Sequence, residues 1–396
     1  MNINLKSVDS EYVVIGGGIV GTCISYYLSC SNKEVICVDS GEFSGSNSNA
    51  GSIHVQLQSR NFRLNPHLID NLKENLPFYK EAVNAWERLQ LMLNVDFELS
   101  VNGGLMVADT EQQLKFLYKK CEEEKTAGLE VEIIESNKIQ KVYPFLSNKV
   151  VGAEFCAHEG KLNPLVANKR LQEACHKRGV KIMQCEVVNH IEFNNNEYLV
   201  KTDLREYHCQ TIIIAAGAGS GKLAKFLDFN IPTIAEPLHM NVTEKVSMFI
   251  PILIQHAERS ITMKQIPSGN IIIGGGWPAT IEDKTNQIKI KKDSLFGNLT
   301  TAVNLVPSIG KLRLYRTWGG INPITDGDSV LGNIKEHENV FFAIPGDAGY
   351  TLGPLCAEVI VDFIDNKRNN VISNRTVFWR PTPRSPGTNQ SIIIHS

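Results

Sequence analysis

Y-V-V-I-G-G-G-I-V-G-T-C-I-S-Y-Y-L-S-C-S-N-K-E-V-I-C-V-D, from Tyr12 to Asp39, decides how the rest of the chain is read. Tyr12 to Ile15 is a short apolar run of the kind that makes a buried strand. It breaks into Gly16-Gly17-Gly18 and then Gly21, the G-x-G-x-x-G spacing that opens a helix. Gly16 lets the chain turn off the strand, Gly18 lets backbone approach a pyrophosphate, and Gly21 lets the new helix pack on the sheet. The helix start offers free N–H groups and the positive end of its dipole to phosphates. A second strand, Glu34 to Val38, ends in Asp39, whose carboxylate accepts hydrogen bonds from an adenosine ribose and repels a 2′-phosphate. Glycine spacing alone is an unspecific sign, and an inconsequential turn is the plain alternative. The preceding strand, the following helix and the acid at the next strand end make it specific for a dinucleotide, with NAD and FAD both open.

At 396 residues the chain is too long for one small core, which predicts two closely joined domains. Hydrophobic residues make up 42% and charged residues 21%, the balance of a soluble globular protein. The net charge of −2 carries no long run of one sign, which argues against a nucleic-acid surface. No apolar run reaches the length of a membrane span, and Met1 to Glu11 lacks the apolar core of a signal peptide. Nine cysteines are scattered without C-x-x-C spacing, and Cys23, Cys37 and Cys356 fall inside apolar patterns. They read as reduced core thiols, so the expected location is cytoplasmic and no metal site is expected.

Beyond Asp39, Gly41 to Ser52 (G-E-F-S-G-S-N-S-N-A-G-S) suits close approach to a flat ring or diphosphate, and equally an ordinary surface loop. Leu68, Leu72, Tyr79, Val83, Trp86 and Leu93 repeat with helical period, and Pro77 is expected to kink or divide that helix. Strands are predicted at Phe97 to Val101, Leu105 to Ala108 and Val150 to Phe155, with a helix starting at Glu111. Asn163 and Pro164 supply the cap and first position of a helix ending near Gly179. Glu186 to Thr202 reads as a hairpin around Asn194-Asn195-Asn196. Thr211 to Ala216 then runs a second buried strand into glycine, at Gly217-Ala218-Gly219. Ile231 to Gly276 alternates β-rich runs with turns, which predicts an antiparallel sheet. Leu295 to Val306 reads as helix and Arg313 to Trp318 as strand. Val340 to Ile344 is a strand, Gly346 to Pro354 (G-D-A-G-Y-T-L-G-P) a loop, and a helix with a clean apolar face follows. Past Lys367, a tail with Pro381, Pro383 and Pro386 is expected to be extended and loosely held.

Taken in order, G-G-G-I-V-G, E-V-I-C-V-D, N-A-G-S, A-A-G-A-G-S, I-I-I-G-G-G, R-T-W-G-G-I-N-P-I-T-D-G and G-D-A-G-Y-T-L-G-P resemble the D-amino-acid oxidase/glycine oxidase superfamily of FAD enzymes. The resemblance runs from Glu11 to Phe363. Members include glycine oxidase, sarcosine oxidase β subunits, D-amino-acid dehydrogenases and the flavoprotein subunits of opine oxidases. It implies an α/β fold, with a Rossmann-like FAD-binding domain (1–95, 145–230 and 325–370) and a discontinuous antiparallel β-rich substrate domain (96–144 and 231–324), then a tail (371–396). It also implies that Gly16, Gly18, Ile19, Gly21, Asp39 and Ser40 hold the ADP half of FAD. Asn49, Ala50, Gly51 and Ser52 match the stretch by the pyrophosphate and flavin, and Val187 matches a backbone contact to adenine. Ala216, Gly217 and Gly320 match further cofactor contacts. Gly346, Gly349, Tyr350, Thr351 and Leu352 match the turn over the flavin's O2/N1 edge, where helix N–H groups steady negative charge.

Where the glycine oxidase branch carries an arginine that clamps the substrate carboxylate, this chain has Asn322, with neither the fork nor the charge. Arg60, Arg63, Arg259 and Arg316 are the candidates to replace it, each with a plain reading as a surface ion-pair residue. Arg60 and Arg63 are favoured because they follow the flavin-side loop. The alternative is a substrate that is not a simple α-amino acid, and the sarcosine oxidase β branch, which tends to lack that arginine, points to N-substituted ones. His54, just past N-A-G-S, faces either the reacting centre or an ordinary half-buried strand environment, and His239 is a weaker case of the same kind. His54, Arg60, Asn322 and Tyr350 are therefore the expected reaction-site residues. The expected chemistry is oxidation of the C–N bond of an amino acid, an N-substituted amino acid or an opine, by hydride transfer to flavin N5, which requires no strong general base. Two other readings stay open: an FAD dehydrogenase acting on a C–OH substrate such as glycerol-3-phosphate, and an FAD-binding subunit without chemistry of its own. The expected partners are a small-molecule amine or amino acid and partner subunits that carry electron acceptors.

Overall fold

The computed structural model describes residues 5–41, 45–59, 62, 69–282, 284, 287–325, 329–334 and 336–366. Arg60, Arg63 and the proline-bearing tail lie outside the described residues. The chain opens with β1 (Lys6–Ile15), α1 (Ile19–Cys30), β2 (Val35–Asp39) and β3 (Ser52–Ile53). Then come α2 (Ile69–Glu74), α3 (Leu76–Leu93), β4 (Gly104–Ala108), α4 (Glu111–Thr126), β5 (Val131–Glu135) and α5 (Ser136–Val142). They are followed by β6 (Gly152–Cys156), β7 (Gly160–Lys161), α6 (Pro164–Lys177), β8 (Lys181–Gln184), β9 (Val188–Asn194) and β10 (Glu197–Thr202). Next are β11 (Arg205–Ile214), α7 (Ser220–Ala224), β12 (Ile234–Thr243), β13 (Leu253–His256), β14 (Thr262–Gln265) and β15 (Ile271–Gly274). The last are β16 (Ala279–Glu282), β17 (Gln287–Ile290), α8 (Lys292–Leu305), β18 (Leu314–Ile324), β19 (Val330–Ile334), β20 (His337–Ile344) and α9 (Gly349–Ile364).

Two eight-stranded sheets organise these elements. The first runs β19-β20-β11-β1-β2-β8, with the β9–β10 hairpin added beside β11. From β20 to β8 every pairing is parallel, and the β1 run Val13–Val14–Ile15 is buried on both faces, which is what a run without polar alternation requires. The chain winds from β1 to β2 and β8 on one side, and to β11 and β20 on the other. The direction therefore reverses between β1 and β11, and a crevice opens at their carboxyl ends. Side chains from α1, α3, α6 and α9 form one core against this sheet. The β9–β10 hairpin and α7 contribute to the core on its other side.

The second sheet runs β18-β12-β15-β14-β13-β4-β6-β5. Its pairings are antiparallel, as expected for the run Ile231 to Gly276, except that of β13 with β4, which is parallel. β6, expected on the cofactor side of a boundary at 145, pairs here with β4 and β5.

Three local readings change. Phe97 to Val101 forms no strand: Ser100 makes one isolated bridge to Lys161, and Phe97 is buried edge-on against Trp86. The division expected at Pro77 falls at Asn75, with Pro77 in the first turn of α3. The loop expected to reach Pro354 ends before Gly349, and Pro354 lies inside α9. Proline lacks the N–H that would reach the Tyr350 carbonyl four residues back. Trp86 Nε1 takes its place, donating at 3.2 Å to Tyr350 O and at 3.1 Å to Thr351 O, while its indole stacks on the Tyr350 ring.

Candidate active site

A cavity of about 630 Å³ opens at the carboxyl ends of β1, β2 and β11 and continues to the second sheet. A side chain at Gly16, where φ is +112°, would meet the Ala215 carbonyl at 2.4 Å, and one at Gly21 would meet the Gly16 carbonyl at 1.8 Å. Those two glycines let protein pack on protein. Gly18 is different, because a Cβ there would meet only Ser46, its Oγ at 3.0 Å, on a wall that borders the cavity. Neither Gly18 at the start of α1 nor Ala348 at the start of α9 provides a side-chain cap. Both helix starts border the same cavity, through Gly18 and Ile19 at one place and Ala348, Gly349 and Thr351 at another.

This arrangement fits FAD. The α1 start suits a pyrophosphate, Asp39 at the end of β2 suits a ribose, and the α9 start suits a ring that gains negative charge. Residues expected to touch the cofactor that line the cavity in the first part of the chain are Gly16, Gly18, Ile19, Asp39, Ser40, Asn49, Ala50 and Ser52. From later parts the fold adds Val187, Ala216, Gly217, Gly320, Gly349 and Thr351. The N–H of Val187 is already donated to Asp203 Oδ1 at 3.0 Å, and Asn49 Oδ1 accepts from Gly51 N at 2.7 Å to shape its own turn.

Other expected residues stand behind the wall. Gly21, Gly346 and Leu352 are not among the lining residues, and Gly51 packs on the Leu162 carbonyl and Pro164. Tyr350, expected at the reacting centre, borders the cavity but turns its hydroxyl into the core. That hydroxyl lies 2.9 Å from Asn168 Oδ1 and 3.3 Å from Pro164 O. Its aromatic face is taken by Trp86. Arg60 lies outside the described residues.

The far end of the cavity is built around β3. The N–H of His54 donates to Thr351 Oγ1 at 3.1 Å, which ties this stretch to the start of α9. The imidazole is half-buried at the cavity wall, and its Nδ1 is buried without a hydrogen-bond partner, 3.9 Å from Glu159 Oε1. Burial pushes His54 down to about 4, with any positive charge on Lys264 acting in the same direction, so it is neutral at pH 7. Glu159 is fully buried and accepts from Val55 N, Gln56 N, Gln56 Nε2 and Gln255 Nε2. Burial raises its carboxyl to about 7 against those donors, which favour the charged form. At 3.9 Å, with burial pressing both groups toward neutrality, His54 and Glu159 do not form an ion pair.

Asn322 lines the cavity, but its amide donates to Glu236 Oε2 at 3.1 Å and to Asp347 Oδ1 at 2.9 Å. With both N–H groups used, it has no donor left for a substrate carboxylate. Arg259 pairs with Asp109 at 3.1 Å and Arg316 is exposed on β18, and neither borders the cavity. His239 is fully buried in β12 and both its ring nitrogens lack partners. The sequence reading missed Ser46, Glu159, Gln255, Lys264 and Asp347. Its one available signal was polar residues interrupting apolar strand runs, as in L-I-Q-H and T-M-K-Q.

The profile of the family described as FAD dependent oxidoreductase matches residues 11–363. The chain belongs to that family. It is an FAD flavoenzyme with an oxidoreductase's fold. It is 25% identical over 376 residues to glycine oxidase of Bacillus subtilis (strain 168), covering 91% of this chain and 94% of the relative. It is 23% identical over 364 residues to an opine oxidase subunit of Agrobacterium tumefaciens (strain Ach5), covering 89% and 93%. The crystal structure of glycine oxidase from Geobacillus kaustophilus superposes with a TM-score of 0.81 at 18% identity, over 91% of this chain and 96% of that one. Among the described residues, no helix is long and apolar enough to cross a membrane and no group of side chains is placed to hold a metal ion. All nine cysteines are free thiols, and Cys30 and Cys185 are the exposed ones.

Proposed function

We propose that this flavoenzyme oxidises the C–N bond of an amino acid or an N-substituted amino acid. In this reading the first sheet and its helices hold FAD, and the second sheet closes the reacting end. FAD supplies the two-electron acceptor when bound. The protein's own part is to hold an amine in its neutral form, orient it and keep water out.

The observation that carries the reading is the state of His54. An amine must shed its extra proton before its C–N bond can be oxidised, and burial disfavours any positive charge at this wall. The pressure that holds His54 at about 4 acts on an amine placed beside it. Nδ1 is on the buried, Glu159 side, so Nε2 is the nitrogen left to accept an N–H from the amine. The similarity to a glycine oxidase and to an opine oxidase subunit supports an amine over an alcohol. The second of these relatives, named as one subunit of an oxidase, also supports a partner chain as electron acceptor.

The test is anaerobic mixing of the holoenzyme with glycine, D- and L-amino acids, N-methyl amino acids, opines and glycerol-3-phosphate, followed by flavin absorbance. Bleaching by an amine, with glycerol-3-phosphate inert, is the expected result. Bleaching by glycerol-3-phosphate alone, or by nothing in the panel, overturns the proposal.

A further inference from the structure

Three lysines are buried near this site, and they keep different company. Lys120 lies 2.8 Å from Glu124 Oε1 and 2.8 Å from Glu154 Oε2, so its charge is matched. Lys161 donates to the Gln265 carbonyl at 2.6 Å and to the Pro251 carbonyl at 3.5 Å. Lys264, on β14 and 1% exposed, donates at 2.5 Å to Ser52 Oγ, a neutral hydroxyl. Among the described residues, no carboxylate pairs with it. A buried ammonium without a counter-charge is strongly disfavoured, and keeping one behind a serine that lines a ligand cavity points to an anion supplied by the ligand.

Among the described residues, the lysine on the cavity wall itself is Lys222 on α7, whose neighbours Leu223 and Ala224 pack into the core of the first sheet, so it stands on the first sheet's side of the cavity. Around Asn322 the charge has the wrong sign, since Asp347 and Glu236 take its amide protons. Arg259 and Arg316 stand away from the cavity. Thr262, two residues before Lys264 on the same strand face, lines the cavity, so this face of β14 is turned toward the ligand.

We propose that Lys264, acting through Ser52, positions the carboxylate of the substrate in place of an arginine clamp. This rests on the reading of the site as one for an amino acid. In the free protein, burial and the neighbouring Lys161 work against the ammonium, and a carboxylate arriving beside Ser52 restores it. His54 and Lys161 share this neighbourhood, and neither supplies a negative charge that would make an incoming anion redundant.

The experiment compares the holoenzyme with Lys264→Met and Lys264→Arg, using acetate as the carboxylate probe and acetamide as its neutral counterpart. Binding is read from the perturbation of flavin absorbance without turnover. In Lys264→Met the acetate dissociation constant should rise about tenfold or more, the acetamide value should stay within about twofold, and Lys264→Arg should recover much of the loss. With an oxidised amino acid in hand, KM should rise in Lys264→Met far more than kcat falls. Unchanged acetate binding in Lys264→Met overturns the proposal, as does a lowered flavin midpoint potential with acetate binding intact, which assigns the charge to the cofactor. If Lys264→Met does not retain FAD, Ser52→Ala replaces it, with the same selective loss of acetate expected. Loss of acetate selectivity in a holoenzyme that no amine bleaches supports the anchor and overturns only the amine reading.

Discussion

Glu159 accepts four hydrogen bonds, two on each carboxylate oxygen. In Glu159→Gln one of those oxygens becomes an NH2 facing donors, which leaves buried groups unpaired. The variant should lose about 2 kcal/mol of stability at pH 8, measured by urea unfolding of the FAD-loaded protein. His54 sets a separate pH dependence. Its folded value of about 4 lies below the ordinary 6.5, so between these values the unfolded chain binds more protons than the folded one. Its contribution to stability is therefore intact above pH 6.5 and is lost as pH falls toward 4, by up to about 3 kcal/mol. Glu159, raised from 4.5 to about 7, works in the opposite sense: its contribution is present below 4.5 and lost as pH rises through 7. His54→Asn, compared with the parent at each pH, cancels the Glu159 contribution and should show a flatter decline from pH 6.5 to 4. These residues were hard to read in the sequence for one physical reason. Strand alternation marks a polar residue as solvent-facing, whereas Glu159, Gln255 and Lys264 are buried because another part of the chain covers them. His54 was legible only because it follows the N-A-G-S turn.

Among the elements, the β1–α1 junction was the most legible, since strand, glycine turn and helix are all local in sequence. The structure separates its glycines by role, and that separation is testable. Gly18→Ala meets only the Ser46 side chain, at 3.0 Å from an Oγ that accepts from Ile19 N, so the protein should fold with apo stability within about 1 kcal/mol of the parent. Its FAD affinity, measured by titration, should nevertheless fall about tenfold or more, because the new methyl occupies the approach to the α1 start. Gly21→Ala places Cβ against the rigid Gly16 carbonyl and should lose both stability and FAD. The α9 start was misread because proline normally marks the end of a loop, and Pro354 is tolerated only through a donor from α3. Trp86→Phe removes that donor and should cost about 1–3 kcal/mol in urea unfolding. Pro354→Ala restores a backbone N–H for the Tyr350 carbonyl, so the cost of Trp86→Phe should shrink in its presence. Equal costs in both backgrounds would detach the indole from the proline's missing bond.

For the whole molecule, the question is what joins the two sheets. The second sheet is assembled from distant stretches, β4 to β6, β12 to β15 and β18, joined by the parallel β13–β4 pair. No local pattern in the sequence announces that pairing, because parallel neighbours far apart in the chain leave no turn signature. Several hydrogen bonds cross the site. Trp318 Nε1 on β18 donates to the Ser48 carbonyl at 2.9 Å, Lys264 on β14 donates to Ser52 Oγ at 2.5 Å, and Asn322 on β18 donates to Asp347 Oδ1 at 2.9 Å. The first two end on the stretch 45–53, which lies between the first sheet and the second. The cavity itself is lined by both sheets, by Gly16, Asp39 and Ala216 on one side and by Met240, Gly274 and Gly320 on the other. FAD bound there contacts both at once and stabilises the folded state by mass action, by about 4 kcal/mol at a thousandfold excess over its dissociation constant. Loading the apoprotein with FAD should therefore slow amide hydrogen exchange in β1 and β11 and, to a similar degree, in β12 and β18. Slowing confined to the first sheet would show that the cofactor is held by one sheet alone, with the second docked independently through stretch 45–53.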